Sequence, residues 1–319
     1  MDLRQLRYFV QIFESGNVSR AAEVLRIAQP SLSQQIKQLE EELGVELLMR
    51  HARGVTATER GQQLYDHARR ILDEVDHARK SLRSQTLEPS GRVSVGLPTS
   101  AARGLSLPLS EVMTKRLPNV TLHLVEAMTG FLDELIQAGR LDVALLYNHK
   151  AFEHVAWTEM MTEDLMLFVA KDSPMARRKT IPFRKVFESN RIALPGRPNV
   201  LRVVIEQLAA RHDVTLTVKD CDSLPAIGKL VCKAGYMAVM PHFAFTDELN
   251  RGEMVAIPIV DPVPSWTLAV VVSQRTMNAR GSEAVARIMA DLIAEMVEQG
   301  VWRAKLRGEK TAVDRRSSA

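Results

Sequence analysis

The chain has 319 residues, of which 46% are hydrophobic and 25% are charged, and its formal net charge is +4. This composition is typical of a folded globular protein and excludes a collagen-like or largely disordered chain. The length exceeds that of one ordinary domain, so the sequence predicts several domains.

The first part of the chain predicts three short helices around one core. The opening helix carries one apolar face, formed by Leu3, Leu6, Phe9, Val10 and Phe13. A second helix covers residues 18–25, and a third covers residues 29–44 with an apolar stripe at Leu32, Ile36, Leu39 and Leu43. The connection 26–28 has the length found in a helix-turn-helix, whose second helix enters the major groove of DNA.

The outer face of the third helix has the chemistry needed to read bases. Hydroxyl, amide and ammonium groups can bond base edges in the major groove. The candidate DNA contacts on this helix are Gln29, Pro30, Ser31, Ser33, Gln34, Lys37 and Gln38. We expect Pro30 at the first helical position, a capping box between Ser31 and Gln34, and Gly44 as the terminator.

Two short strands, at residues 45–49 and 50–56, are predicted after this helix, around a basic turn. Together the elements form a winged helix-turn-helix domain over residues 1–58. Arg50 and Arg53 of the wing would meet phosphates or the minor groove. The alternative is that they are two solvated surface arginines.

Three segments carry a family resemblance: MDLRQLRYFV, GNVSRAAEVLRIAQPSLSQQIKQLEEELGVELLMR and RGVTATERG. Together they resemble the amino-terminal domain of LysR-type transcriptional regulators over roughly residues 1–85. The resemblance implies DNA contacts at Gln29, Pro30, Ser33, Gln34 and Arg53. Many members of that family have arginine where this chain has Gln34, so its operator preference is expected to differ there.

A long helix follows, opened by a predicted capping box between Thr56 and Glu59. Small and apolar residues recur along it at coiled-coil spacing, at Leu64, Ala68, Ile71, Val75, Ala78 and Leu82. This seam predicts a linker helix at 59–90 that forms a homodimer, which suits a partly palindromic operator. The alternative is a long helix lying on its own domain.

Breakers at residues 86–91 end the linker helix, and strands then alternate with amphipathic helices. This pattern predicts an α/β effector domain at 91–302 with mostly parallel sheets. The predicted strands are 93–97, 120–125, 143–147, 165–170, 192–194, 216–218, 237–240, 254–259 and 268–272. The predicted helices are 107–116, 131–138, 200–210, 225–234 and 282–298.

The family resemblance implies that this domain is built like a periplasmic binding protein, with two lobes. The chain would cross between them near Thr162 and Val263, so that lobe I comprises 91–162 and 264–302 and lobe II comprises 163–263. The fold class is therefore multi-domain α/β: a winged helix-turn-helix, a coiled-coil linker helix and a two-lobed effector domain. A ligand would lie in the cleft, where helix amino termini favour anions.

Six polar residues near the predicted strand ends are candidates for binding a small polar or carboxylate-bearing effector: Thr99, Ser100, Thr129, Tyr147, Arg197 and Ser223. The resemblance to regulators of aromatic and organic-acid catabolism implies ligand contacts at Ser100 and Thr129. Each of these residues could instead be a helix cap, a common structural role for hydroxyls that precede helices.

The charge balance along the chain argues against DNA binding by bulk charge. Residues 302–319 contain six Lys or Arg against two acids, whereas residues 1–60 contain eight of each. DNA binding therefore depends on where the cations lie within the domain and on having two DNA-binding domains in one oligomer. The segment 303–319 is predicted to be a disordered basic tail.

The chain contains two cysteines, Cys221 and Cys232, with no CxxC spacing and no histidine cluster, so no metal or other cofactor is expected. Some LysR-type regulators sense peroxide through a cysteine pair, which leaves a redox switch as an alternative. With no signal peptide and no long apolar run, we expect a cytoplasmic protein without membrane contact.

These features predict a transcriptional regulator that binds double-stranded DNA and responds to a small-molecule effector. The resemblance implies a homodimer, paired into a homotetramer, that contacts RNA polymerase. An α/β enzyme with an appended DNA-binding domain is one alternative, although GxSxG, HExxH, Walker and GxGxxG motifs are absent. A purely architectural DNA protein is another, but it would leave the C-terminal α/β region unexplained.

Overall fold

The computed structural model describes residues 1–51, 54–83, 88–149 and 152–307, in two compact units, Met1–Gly91 and Arg92–Ala319. Arg53 and positions 308–319 lie outside the described residues. For Arg50 and Leu82, the structure describes the backbone and not the side chain.

The N-terminal unit is a winged helix-turn-helix followed by a long helix. Its elements are α1 (Leu3–Ser15), α2 (Val18–Leu25), α3 (Gln29–Leu43), β1 (Leu48–His51), β2 (Gly54–Ala57) and α4 (Glu59–Arg83). Asp2 forms a capping box with Gln5 at the start of α1, and Asn17 caps α2. The apolar faces of the first three helices meet in one core that includes Phe9, Leu32 and Leu39.

The ends of α3 only partly match the sequence prediction. Gly44 terminates the helix in the left-handed conformation at φ 68°, as predicted. The helix begins one residue before Pro30, and the residue preceding it is Ala28, which offers no side-chain cap. The predicted capping box between Ser31 and Gln34 is therefore wrong, because Ser31 already lies inside the helix.

The wing strands begin later than predicted. Before β1, the backbone N–H groups of Leu47 and Leu48 donate to Glu40 Oε1 at 2.8 and 3.1 Å, which turns the chain back along α3. Thr56 is paired within β2, so it cannot open α4. Thr58 does so instead, because its Oγ1 accepts from the Gly61 N–H at 2.9 Å.

The predicted seam of α4 is partly occupied within the unit. Ala68 is fully buried, and Leu64 and Ile71 pack against the same core as α1. The Tyr65 ring stacks on Phe13, with centroids 3.9 Å apart. The amino-terminal half of the seam thus lies on its own domain, which was the alternative to a coiled coil. In the other half, Val75 is half-buried and Ala78 is exposed.

The C-terminal unit alternates strands and helices. Its strands are β3 (Gly91–Pro98), β4 (Val120–Ala127), β5 (Val143–Tyr147), β6 (Val155–Asp164), β7 (Met166–Ala170), β8 (Ile181–Pro182), β9 (Ile192–Leu194), β10 (Val218–Asp220), β11 (Met237–Met240), β12 (Met254–Val260), β13 (Ser265–Ser273) and β14 (Ala304–Leu306). Its α-helices are α5 (Thr99–Arg116), α6 (Thr129–Gln137), α7 (Phe183–Val186), α8 (Val200–Arg211), α9 (Leu224–Ala234), α10 (Thr246–Asn250) and α11 (Ala279–Glu298). Two short 3-10 helices cover Pro174–Arg177 and His242–Phe245.

The strands form two six-stranded sheets, one in each lobe. Lobe I has the order β14-β6-β13-β5-β3-β4, and lobe II has the order β10-β9-β11-β7-β12-β8. The chain leaves lobe I after Asp164 and returns before Ser265, and the Leu165 N–H donates to the Pro264 carbonyl at 2.8 Å. Because the outgoing and returning strands are neighbours, β6 pairs antiparallel with β13 and β7 with β12. Both sheets are therefore mixed, where mostly parallel sheets were predicted.

The longest strand that the sequence did not predict is β6, in which three consecutive exposed residues, Ala156, Trp157 and Thr158, break the alternation expected of a strand. Helix α5 also starts earlier than predicted, at Thr99, because Ala101, Ala102 and Leu105 form a buried face ahead of Pro108. The predicted disordered tail is wrong at its start. After the buried Trp302, β14 pairs with β6, so residues 304–306 belong to the sheet of the C-terminal unit.

Candidate DNA interface and ligand cavity

The candidate DNA-reading face of α3 is open to solvent. Gln29, Pro30, Ser31, Gln34, Lys37 and Gln38 are all exposed, and Ser33 is half-buried. Gln29 Nε2 donates to Ser33 Oγ at 2.8 Å, which ties the two residues across one helical turn. Gln34 makes no hydrogen bond among the described residues, so its amide is free to meet a base edge.

The acids of this helix are held away from its first turns. Glu40 accepts from the wing backbone, and Glu42 pairs with the amino terminus of the chain. Lys37 lies 3.5 Å from Glu41, but both side chains are mostly exposed, so this pair is weak and Lys37 can turn to a phosphate. Local placement of charge, as expected from the sequence, leaves the start of α3 polar and free of acids.

A cavity of about 100 Å³ lies between the two lobes of the C-terminal unit. It can hold a small molecule, since one water needs only about 10 to 15 Å³ by the same kind of measure. Four of the six predicted ligand residues line it: Thr99, Ser100, Thr129 and Tyr147. Thr99 and Thr129 are the first residues of α5 and α6, so the starts of both helices face the cavity.

The other two predicted ligand residues do not line the cavity. Arg197 is 74% exposed and pairs with Glu206, nine residues further along the chain. Ser223 caps α9, because its hydroxyl accepts from the Ala226 N–H at 3.4 Å. Ser223 is therefore a helix cap, which was the alternative role that the sequence offered for it.

An aromatic pair forms one wall of the cavity. The rings of Tyr147 and Trp266 are stacked, with centroids 3.7 Å apart, and the Tyr147 hydroxyl lies 3.1 Å from Ser100 Oγ. Burial raises the pKa of Tyr147 well above its usual range, so this hydroxyl stays protonated. Sequence reasoning missed Trp266, although an aromatic residue at the start of a strand after a lobe crossing could have indicated it.

A buried carboxylate holds this wall from behind. Glu163 accepts hydrogen bonds from Trp266 Nε1 at 2.8 Å, Trp302 Nε1 at 2.9 Å and the His242 backbone N–H at 3.1 Å. Burial raises the pKa of Glu163 to about 7, against the opposite pull of these donors. The residue therefore joins both crossing strands, lobe II and the C-terminal segment at one point.

The two cysteines lie in different surroundings. Cys221 lines the cavity, whereas burial raises the pKa of Cys232, which disfavours a reactive thiolate. Both are free thiols. Within the described part of the chain no cluster of metal ligands occurs. Among those same residues, no helix combines the length and apolar character needed to span a bilayer.

The fold and the site thus define a DNA-binding module joined to a two-lobed ligand-binding domain. Residues 3–62 match the family model described as bacterial regulatory helix-turn-helix protein, lysR family, and residues 87–294 match the LysR substrate binding domain. The chain belongs to the LysR family of transcriptional regulators. It is a DNA-binding regulator with an effector-binding domain and not an enzyme, as its sequence predicted.

Several relatives align along nearly the whole chain. The nitrogen assimilation regulatory protein nac of Klebsiella aerogenes is 32% identical, over 92% of this chain and 96% of its own length. The hydrogen peroxide-inducible genes activator of Haemophilus influenzae is 27% identical, over 93% of this chain and 99% of its own. A full-length OxyR variant from Pseudomonas aeruginosa has the same fold, with a TM-score of 0.67 at 23% identity, covering 97% of this chain and 99% of that one.

Proposed function

We propose that this protein binds a partly palindromic operator through α3 and that a small molecule in the interlobe cavity changes that binding. The observation that carries the proposal is the cavity itself, which is lined by residues of both lobes, among them Thr99 and Thr129 at the starts of α5 and α6. A ligand that contacts both lobes binds one lobe arrangement better than others and so shifts their population. A coupling of about 1 to 3 kcal/mol would suffice.

The proposed assembly is a homodimer built on the free half of the α4 seam, paired into a homotetramer. Val75 and Ala78 do not belong to the core that Leu64, Ala68 and Ile71 join, so they can meet a second copy. Doubling the module compensates for the neutral charge of the DNA-binding domain. Contact with RNA polymerase and action in the cytoplasm complete the proposed function.

Replacing both Ser33 and Gln34 with alanine is expected to abolish the specific operator footprint. The change removes a hydroxyl and an amide from the reading face, and each lost base contact costs about 1 to 3 kcal/mol. DNase I footprinting on the promoter region beside the gene would measure the loss. Replacing the exposed Gln62 of α4 with alanine is the control, because it removes an amide outside the predicted reading face, where Gln62 Nε2 donates to Asp66. An unchanged footprint for the double variant would refute the assignment of α3.

Glutamate at both Val75 and Ala78 is expected to produce monomers in analytical ultracentrifugation. Two added charges on each copy would be desolvated against their counterparts in a coiled-coil seam. Ile71 is avoided because it packs in the core of its own unit. Glutamate at the exposed Gln63 adds charge elsewhere on α4 and should leave the oligomer intact. A double variant that sediments like the parent protein would rule out this seam.

A further inference from the structure

The two sides of the interlobe cavity offer opposite hydrogen-bonding chemistry. On the lobe I side, α5 and α6 begin without a side-chain cap, so their first backbone N–H groups keep their donors for a ligand. Thr129 is only 7% exposed, and its hydroxyl has no hydrogen-bond partner within the described residues. Uncapped helix starts and a hydroxyl without a partner favour a carboxylate on this side.

The lobe II helices at the cavity are satisfied by their own side chains. Asn199 accepts from the Leu201 N–H at 2.9 Å at the start of α8, and Ser223 caps α9. What lobe II adds is Asp222, whose Oδ1 accepts from the Gly196 N–H at 2.9 Å. Asp222 is the one charged side chain among the described residues that line the cavity. It is exposed at the rim of the cavity and forms no ion pair with any described residue.

The nearby arginines do not offset this negative charge. Arg197 forms an ion pair with Glu206. Arg202 forms two, from its Nε to Glu206 Oε1 and from its Nη1 to Asp220 Oδ1, each at 2.7 Å. Neither guanidinium lines the cavity. A ligand with only a carboxylate would therefore leave the Asp222 charge unmatched across the cleft, whereas a ligand ammonium would neutralise it.

Most of the remaining lining is apolar. Besides the stacked pair of Tyr147 and Trp266, it includes Met128, Ile227 and Met240. Such walls bury a hydrocarbon or aromatic group and leave the polar groups to set its orientation.

We infer that the cavity binds a zwitterionic amino acid with an apolar side chain, its carboxylate at the starts of α5 and α6 and its ammonium on Asp222. This inference rests on the proposed function, because it names the chemical class of the effector. It also narrows the small polar or carboxylate-bearing effector expected from the sequence, since Asp222 but no basic side chain lies among the described lining residues.

Isothermal titration of the full-length protein tests the inference. The probes are leucine and phenylalanine, their des-amino counterparts isocaproate and hydrocinnamate, and their decarboxylated counterparts isoamylamine and phenethylamine. At least one of the two amino acids is expected to bind, with an affinity at least about tenfold above that of its counterparts, because each lost charged hydrogen bond costs about 1.5 to 3 kcal/mol.

Variants locate the ammonium. Asp222→Asn keeps an oxygen for the Gly196 N–H but loses the charge, so amino-acid affinity should fall about ten- to hundredfold while any carboxylate affinity is retained. Asp172→Asn, at an exposed lobe II position outside the cavity, is the matched control and should change nothing. Thr129→Val should lower the affinity for amino acids and for carboxylates alike.

Three results would overturn the inference: equal affinity for acids and amino acids, an Asp222→Asn variant with unchanged affinity, or no binding of either amino acid. Binding of simple carboxylates alone would refute the ammonium site and leave the proposed function standing. A probe that binds yet leaves the operator footprint unchanged would instead contradict the proposed ligand response.

Discussion

Replacing Glu163 with glutamine is expected to remove a pH dependence from the stability of the C-terminal unit. The folded-state pKa of Glu163 is about 7, above its ordinary value of 4.5, so the folded protein holds this proton more tightly than the unfolded chain. The resulting stabilisation is complete below pH 4.5 and is lost as the pH rises through 7, a change of about 3 kcal/mol. The glutamine variant cannot titrate there and lacks this loss.

Urea unfolding at pH 5 and pH 8, followed by tryptophan fluorescence, would measure the effect. At pH 5 the variant should be less stable by about 1 to 3 kcal/mol, because its amide N–H groups face other donors. Between pH 5 and pH 8 the parent protein should lose about 2.5 kcal/mol of stability that the variant keeps, so the deficit should disappear or reverse at pH 8. The comparison isolates Glu163, since His242, whose pKa burial lowers, titrates in both proteins. Glu188→Gln, at an exposed position, should leave the pH dependence intact, and a constant deficit would contradict the prediction.

Replacing Gly61 with alanine is expected to destabilise the N-terminal unit by more than about 3 kcal/mol and to abolish DNA binding. An added Cβ would lie 2.0 Å from the Leu47 carbonyl oxygen, a backbone atom that also accepts from the Thr58 N–H. The start of α4 would have to move away from the segment that leads into the wing. Helix propensity alone predicts the reverse, because alanine is favoured over glycine inside helices by about 1 kcal/mol.

The matched control for this change is Gly130 in α6, where an added Cβ meets nothing within 4 Å. Gly130→Ala should therefore be neutral or stabilise its unit by up to about 1 kcal/mol. Differential scanning calorimetry of the two variants, with a gel-shift assay on operator DNA, separates the two predictions. A Gly61→Ala protein with parental stability would show that the approach of α4 to Leu47 is not required.

The DNA-binding module was largely predictable because its information is local. Spacing of Leu32, Ile36 and Leu39 along one helix set the buried face, and the same spacing set the exposed face opposite. The capping error at Thr56 arose because Thr58 could serve as well, and strand pairing decided between them. The error at Ser31 arose because α3 begins two residues earlier, at Gln29, after a residue without a side-chain cap.

The ligand site was half predictable. Hydroxyls that follow strands and begin helices brought Ser100 and Thr129 to the cavity, because the α/β alternation places such positions at one sheet edge. Arg197 could not be judged from its position, since its ion pair with Glu206 depends on how α8 lies beside the loop. Asp222 gave no signal either, standing one residue before the helix cap Ser223.

By itself the sequence determined the family, the order of the modules, the apolar face of each long helix and the neutral charge of the DNA-binding domain. These depend on residue type and short-range spacing. Only the tertiary structure decided that part of the α4 seam is buried in its own unit, that Trp302 belongs to the ordered fold and that Asp222 faces the cavity. Glu163 and Trp302 are 139 residues apart, and no local pattern records a contact that exists only once the strands from both crossings pair.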